Sequence, residues 1–305
     1  MEHSTRHDNS MAYRILEHEA VKGAIRRIAE GLVSKVSSQV DDDTLTYDRR
    51  VHRVRTTCKR MRALLRVVRP ALKDSTYHRE NARYRDLARL AGDARDARVV
   101  LDCFDALVGD EPEDLARAAG LRARLDDHLY ADDRANDPAA ALSEVRPGLA
   151  AAWTALGKWK LRGKGFDLIG PGYAMTYQRG RDAFERAYRR PSAGRFHEWR
   201  KQAKYALYQT ELLGDVWRRP MRERRRAFAE LGDELGVEHD LYVLRGELLG
   251  LGGGEQLDDV LRDLEFERER LRLRCRRHGD RLYAESPRAH ERRIRRLWTA
   301  WRRPS

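Results

Sequence analysis

VHRVRTTCKRMRALLRVVR (Val51–Arg69) carries seven Arg or Lys residues and no acid, and its apolar residues are spaced for one secondary structure. Val51, Val54, Cys58, Met61, Leu65 and Val68 step by three or four, the spacing of one face of an α-helix. One position along runs a second stripe, His52, Arg55, Lys59, Arg62, Arg66 and Arg69. At helical pitch this cationic strip borders the apolar seam rather than scattering over the solvent side. Like charges at i, i+3 and i+4 repel by a few tenths of a kcal/mol per pair. No acid within the stretch offsets that cost, so neighbouring helices or a bound anion must.

The same periodicity covers most of the chain. Helices are expected over 11–37, 48–69, 76–91, 94–108, 114–131, 140–160, 174–190, 194–214, 220–235, 238–250, 255–277 and 288–302. Gly, Pro or acid-rich turns punctuate them, among them Asp41 to Asp43, Pro70, Gly92-Asp93, Asp137-Pro138 and Gly252 to Gly254. No long segment alternates with the period of a strand. The class is all-α, with helical hairpins packed as bundles. The longest break, RGKGFDLIGPG (Arg162 to Gly172), holds four glycines and a proline and reads as a hinge or connection. It follows a helix and lacks the Gly-Lys-Ser/Thr ending of a nucleotide-binding loop.

FHEWRKQAKYALYQTELL (Phe196 to Leu213) repeats the opening pattern. An offset of 145 places His52 on His197, Arg55 on Arg200 and Lys59 on Lys204. The likeness runs into the next helix, where LARLAGDARDARVVL resembles FAELGDELGVEHDLYVL with Asp96 matching Asp240. A duplicated helical unit of about 145 residues accounts for both. It divides the chain into a first half (1–162), a glycine-rich connection (163–172) and a second half (173–305). After Lys204 the second strip changes to Leu207 and Glu211, which localises the shared chemistry to His-Arg-Lys.

Over 305 residues the formal charge is +13, with 36% charged and 41% hydrophobic residues. The apolar share suffices for a core. The arginine-rich excess favours polyanions: nucleic acid, an inorganic polyanion, an acidic protein or anionic lipid. Cys58, Cys103 and Cys275 are too widely spaced for a disulfide framework or zinc ribbon and read as small buried hydrophobes. No signal-peptide core and no run of membrane-spanning length is found, so no membrane role and a cytoplasmic location are expected.

Arg offers a planar fork to phosphoryl oxygens, Lys a compact charge, and His a second donor once protonated. If His52 and His197 touch an anion, binding should tighten as pH falls. A charge-rich helix is otherwise a solvated face, and a histidine beside an apolar seam is otherwise structural. A further basic region, ERERLRLRCRRHGDR (Glu267 to Arg281) and HERRIRRLW (290–298), puts Arg270, Arg274 and Arg277 on one helical side. Arg292, Arg295 and Arg296 share another side, and Glu265, Glu267 and Glu269 stand by for ordinary ion pairing. Trp298 and Trp301 are expected to dock the terminal helix. His3 and His7 in the polar N-terminal tail have no evident metal partners.

In combination and order, VHRVRTTCKRMRALLRVVRP, YRDLARLAGDARDARVVLD, YQRGRDAFERAYR and FHEWRKQAKYALYQTELL resemble the CHAD family, the conserved histidine α-helical domain. The resemblance implies two pseudo-symmetric antiparallel four-helix bundles with connecting or terminal helices and a basic surface or cavity between them. It also implies binding of inorganic polyphosphate and association with polyphosphate granules, with no catalysis by the domain. The family's basic positions fall on His52, Arg55, Lys59, Arg60 and Arg62, with Arg66 continuing the strip. In the second unit they fall on His197, Arg200, Lys201 and Lys204. Tyr177, Arg179 and Arg181 precede the second basic helix, and Arg83, Arg85 and Arg89 precede the first Arg-Asp turn. The weaker charge after Lys204 makes the contacts asymmetric. The acids of Arg95-Asp96 and His239-Asp240 are expected to anchor neighbouring basic side chains or cap a helix rather than to contact an anion.

Two other functions compete with this reading. A nucleic acid also presents a chain of phosphates, and binding to either polymer weakens with salt. No zinc finger, basic zipper or RNA-recognition motif is present, however. A phosphohydrolase acting on polyphosphate would need an activated nucleophile or paired carboxylates, and neither assembles around His52 or His197. A non-enzymatic binder without cofactor or metal is the expectation.

Overall fold

The computed structural model describes residues 13–91, 96–130 and 138–303. Eleven α-helices and no strand occur among the described residues. They are α1 (Val21–Val40), α2 (Tyr47–Val67), α3 (Asp74–Leu90), α4 (Asp96–Val108), α5 (Pro112–Tyr130) and α6 (Pro138–Leu156). After the connection come α7 (Gly170–Arg189), α8 (Ala193–Leu212), α9 (Arg218–Gly250), α10 (Glu255–Leu282) and α11 (Pro287–Trp301). The expected turns at Gly92-Asp93 and Asp137, the Arg95 position, and His3 and His7 lie outside the described residues.

Two expectations change. The segments 220–235 and 238–250 form the single helix α9, because Gly236 keeps helical backbone and α8 packs against it. The first helix begins at Val21 rather than near residue 11. Ahead of it the chain answers to tertiary partners: the Ile15 amide donates to Leu212 O at 3.1 Å and the Tyr13 hydroxyl to Arg60 O at 3.0 Å.

Helices α1, α2, α3 and α6 pack in a ring, each on the next, around the largest core. Every seam residue of α2 is buried, Val54, Met61 and Leu65 completely. Leu212, Leu213, Val216, Ile294 and Trp298, from beyond the glycine-rich connection, join this core. A second core lies among α7, α8, the first half of α9 and the end of α10, and it is aromatic: Phe184, Tyr188, Phe196 and Trp199 contact one another edge-on or tilted. In the third, α4 and α5 pack against the last half of α9 and the first half of α10. Cys58 and Cys275 are buried and Cys103 half-buried, all as free thiols.

The terminal helix is keyed in by a buried histidine. His290, 1% exposed, stacks on Tyr177 at 4.0 Å and on Tyr173 at 5.3 Å. Its Nδ1 lies 3.0 Å from Glu285 Oε2 and its Nε2 3.2 Å from the Tyr173 hydroxyl. Arg293 grips the same carboxylate with two hydrogen bonds, which holds Glu285 ionised against burial, at about 2. An ionised Glu285 makes Nδ1–H the donor and leaves Nε2 to accept from Tyr173.

Burial, then the nearby Arg224 charge, push His290 down to about 4. Both groups therefore titrate below their ordinary values. The unfolded chain takes up protons first, and stability falls as pH drops from 6.5 towards 4 through His290 and from 4.5 towards 2 through Glu285. Urea unfolding followed by circular dichroism should show the first loss at up to about 1.4 kcal/mol per pH unit. A His290→Gln variant, which cannot charge, should show a flatter dependence between pH 6.5 and 4.5; an equal slope would contradict this assignment.

Candidate anion-binding site

The two basic helices cross antiparallel. Arg60 of α2 meets Glu211 of α8 at 3.2 Å, Gln209 Nε2 donates to Ala63 O at 3.2 Å, and the Arg66 guanidinium lies 3.8 Å from the Tyr205 ring centroid. Numbers rise on one helix as they fall on the other, so the two His-Arg-Lys triplets point to opposite ends of the crossing.

Helix α7 reaches this crossing through Gly172. A Cβ there would sit 2.0 Å from Val67 O and 2.6 Å from Arg66 O, so only a residue without a side chain lets α7 lie on the end of α2. The glycine-rich connection thus serves as a close contact: Gly163 and Gly165 take positive φ, a 3₁₀ turn spans Gly165–Leu168, and α7 begins at Gly170. Two turns into α7 stands Arg179. It makes no ion pair or hydrogen bond among the described residues, yet its charge acts on Arg66.

Arg62, Arg66 and Arg179 form the centre of a cationic cluster. Arg62 Nε and an Arg66 terminal nitrogen both donate to the neutral Asn81 Oδ1, at 3.2 and 3.1 Å. Burial, opposed by Tyr205 and Tyr77 and assisted by the charges of Arg62 and Arg179, pushes Arg66 below its usual value. Arg69 lies over the Tyr77 ring at 4.6 Å and reaches the exposed Asp74 carboxylate at 3.9 Å. The Arg66 charge reaches the Glu198 carboxylate, which is itself occupied by Lys201 and Gln202, each at 2.6 Å. Burial opposes its ionisation, but these hydrogen bonds and the Lys201 charge hold Glu198 below its ordinary value.

The second triplet lies along α9. Lys204 pairs with Asp233 at 2.8 Å, Arg200 faces Gly236, and the His197 ring stacks obliquely on His239 at 4.5 Å. Gly232 and Gly236 leave the space these long side chains fill; a Cβ at 232 would touch the Lys204 stem at 2.9 Å. Arg200 Nε and His197 Nδ1 are buried without partners among the described residues. Burial, the neighbouring His239 and the Lys201 and Arg200 charges lower His197 below its ordinary value. It is therefore neutral near pH 7, where an unperturbed imidazole is already mostly neutral, and only an adjacent anion would draw it towards the charged form. On α2, His52 and Lys59 are exposed and Arg55 is half-buried, with Thr56 Oγ1 3.4 Å from His52 Nε2.

Other sequence candidates stand elsewhere or are already engaged. Arg60 is held by Glu211 between the Tyr13 and Tyr208 rings. Arg83 pairs with the buried Glu80, and Arg85 and Arg89 with Asp86 on the surface. Tyr177 is 3% exposed and donates to Glu285 O at 2.9 Å, and Arg181 pairs with Glu185. In the C-terminal region Arg270 and Arg274 meet Glu267, and Arg295 meets Asp167 and Glu291. The side chain of Asp96 lies outside the described residues. Sequence reading did not select Asn81, Glu198, Tyr205 or Arg69 for the site. Arg69 alone carried a signal, as the last member of the α2 strip.

A family model, the CHAD domain, matches residues 27–249, which contain both basic helices, the crossing and the whole cluster. The chain belongs to the CHAD domain family. Neither the curated proteins nor the solved structures compared with it gave a match. Among the described residues no helix of this CHAD protein is long and apolar enough to cross a membrane.

The Gly172 contact sets the position of Arg179 beside Arg66. Gly172→Ala should cost about 1–3 kcal/mol by overpacking. Gly31→Ala, in α1 with open space around it, should be neutral or raise stability by up to about 1 kcal/mol. Equal urea midpoints for the two variants would show that α7 does not depend on this close approach.

Proposed function

We propose that this CHAD protein binds inorganic polyphosphate without chemically altering it, and that binding associates it with polyphosphate granules in the cytoplasm. The observation that carries the reading is the cluster at the α2–α8 crossing. Two guanidiniums share one neutral amide oxygen, and a third, Arg179, has no acidic partner among the described residues. Cations gathered with so little carboxylate carry an electrostatic cost that phosphoryl oxygens relieve, through charge-assisted bonds about twice as strong as neutral ones.

In this account a polymer follows the α2 strip past His52, Arg55 and Lys59. It crosses at Arg62, Arg66, Arg179 and Lys201 and continues along His197, Arg200 and Lys204. Arg60, Arg83 and Tyr177 position helices rather than phosphates. The Arg66 guanidinium, fixed between Asn81 and Tyr205, loses little side-chain freedom on binding.

Nucleic acid is distinguished by measurement. Polyphosphate of defined length and charge-matched single- and double-stranded nucleic acids are titrated into the protein at physiological salt. Polyphosphate should bind far more tightly. Arg55→Gln, Lys59→Gln, Arg200→Gln and Lys204→Gln combined should weaken it by at least about 10-fold, with helicity unchanged. Equal binding by wild type and the quadruple variant would sink the assignment, and comparable binding of all three polymers would return nucleic acid as the partner. Polyphosphate recovered after long incubation with divalent cation should keep its length; release of orthophosphate would overturn the non-enzymatic part.

A further inference from the structure

Helix α10 turns Leu264, Leu271 and Cys275 into the protein interior. At 100° per residue, Phe266 and Leu273 project from the opposite side. They are 70% and 64% exposed, more than any other large hydrophobic side chain among the described residues. Exposed apolar residues scattered singly need no explanation. These two stand two turns apart on one line, as a ridge that the chain leaves open to water.

The charges beside the ridge say what covers it. Near the start of α10, Asp259 and Asp263 lie one turn apart on one flank. Near its end, Arg277 and Arg281 lie one turn apart on the same flank. Arg262 and Asp280 lie on the other flank. Asp259 pairs with Arg262 at 2.9 Å, while Asp263, Arg277, Asp280 and Arg281 make no ion pair among the described residues.

A half-turn about an axis at Arg270, normal to two adjacent helices, lays one α10 antiparallel on another and keeps each flank on its own side. Asp259 then faces Arg281 of the second copy, Asp263 faces Arg277, Arg262 faces Asp280 and Phe266 faces Leu273. Each contact is made twice, as a two-fold interface requires. The exposed charges of α10 balance, five acids against five arginines, on a chain of net charge +13. The chain as a whole repels its copy; this face does not. We infer that α10 is the contact surface for a second copy of this chain, in an antiparallel two-fold dimer.

Two like-charge meetings fall near the axis. Arg270 faces its copy, and Glu267 already holds it with hydrogen bonds of 2.7 and 3.0 Å. Glu269, on the other flank, faces its copy without a cationic partner among the described residues.

The test is sedimentation equilibrium of the full chain without polyphosphate, from about 10 μM to about 1 mM. A monomer–dimer equilibrium should appear, and Phe266→Ser combined with Leu273→Ser should raise its Kd at least about 10-fold. Asp263→Arg sets arginine against Arg277, and Arg277→Asp sets acid against Asp263, so each variant alone should be monomeric. Mixed one to one, the two variants should form a dimer, because both contacts again join opposite charges. Glu269→Gln should tighten association. All five positions are exposed, and circular dichroism should be unchanged throughout.

A monomer at every concentration would overturn the inference and leave the ridge to a different protein. A dimer that survives loss of Phe266 and Leu273, or charge variants whose mixture stays monomeric, would overturn it equally. None of these residues belongs to the α2–α8 crossing, so either result leaves the polyphosphate reading to its own test.

Discussion

The amide of Gln209 holds three helices at one point. Buried in α8, it donates to Ala63 O of α2 and to Thr176 Oγ1 of α7, at 3.2 and 2.9 Å. Thr176 in turn donates at 3.1 Å to the carbonyl of Gly172, one turn back, the glycine that touches the α2 backbone. A buried amide left without these partners costs about 1–3 kcal/mol, so the three helices have one favoured register here. Everything proposed for the basic face follows from that register, because it brings Arg66 of α2, Arg179 of α7 and Lys201 of α8 to one side of one crossing.

The crossing is chemically lopsided. At the offset of 145, residues 60 and 66 correspond to 205 and 211, and the structure pairs Arg60 with Glu211 and Arg66 with Tyr205. The two contacts exchange under the offset, but one side received a carboxylate and the other an aromatic ring. On the Glu211 side Asp215 also pairs with Arg14, and the segment around Tyr13 and Ile15 lies over the helices. On the Tyr205 side a ring face holds a guanidinium without cancelling its charge. One face is thereby neutral and covered, while the other stays cationic.

Much of this was legible in the sequence because the periodicity is strong. The apolar seam beginning at Val51 is buried residue for residue, and α8 spans Ala193–Leu212 where an expected helix covers 194–214. The all-α class and the family followed from the same stretches. What stayed hidden depends on tertiary contact. Gly236 looks like a break, yet the Arg200 side chain lies over it and the helix runs on. The close contact that Gly172 makes with the α2 backbone cannot be read from its place in a glycine-rich hinge or connection. The charge strip does not say which cations meet acids: Arg60 and Arg62, two residues apart, end on a carboxylate and on a neutral amide. His290 sat in a stretch read as basic surface, and nothing local announced that two tyrosines enclose it.

The central claim is that phosphoryl groups occupy the acid-poor side of the α2–α8 crossing. The most direct measurement is a crystal structure of the full chain with a short polyphosphate of defined length. The account predicts phosphoryl oxygens within hydrogen-bond distance of Arg66 and Arg179, with Arg66 still over Tyr205 and Asn81 still shared. A polymer bound along α10 and α11 alone, with the Arg62–Arg66–Arg179 cluster unoccupied, would contradict it.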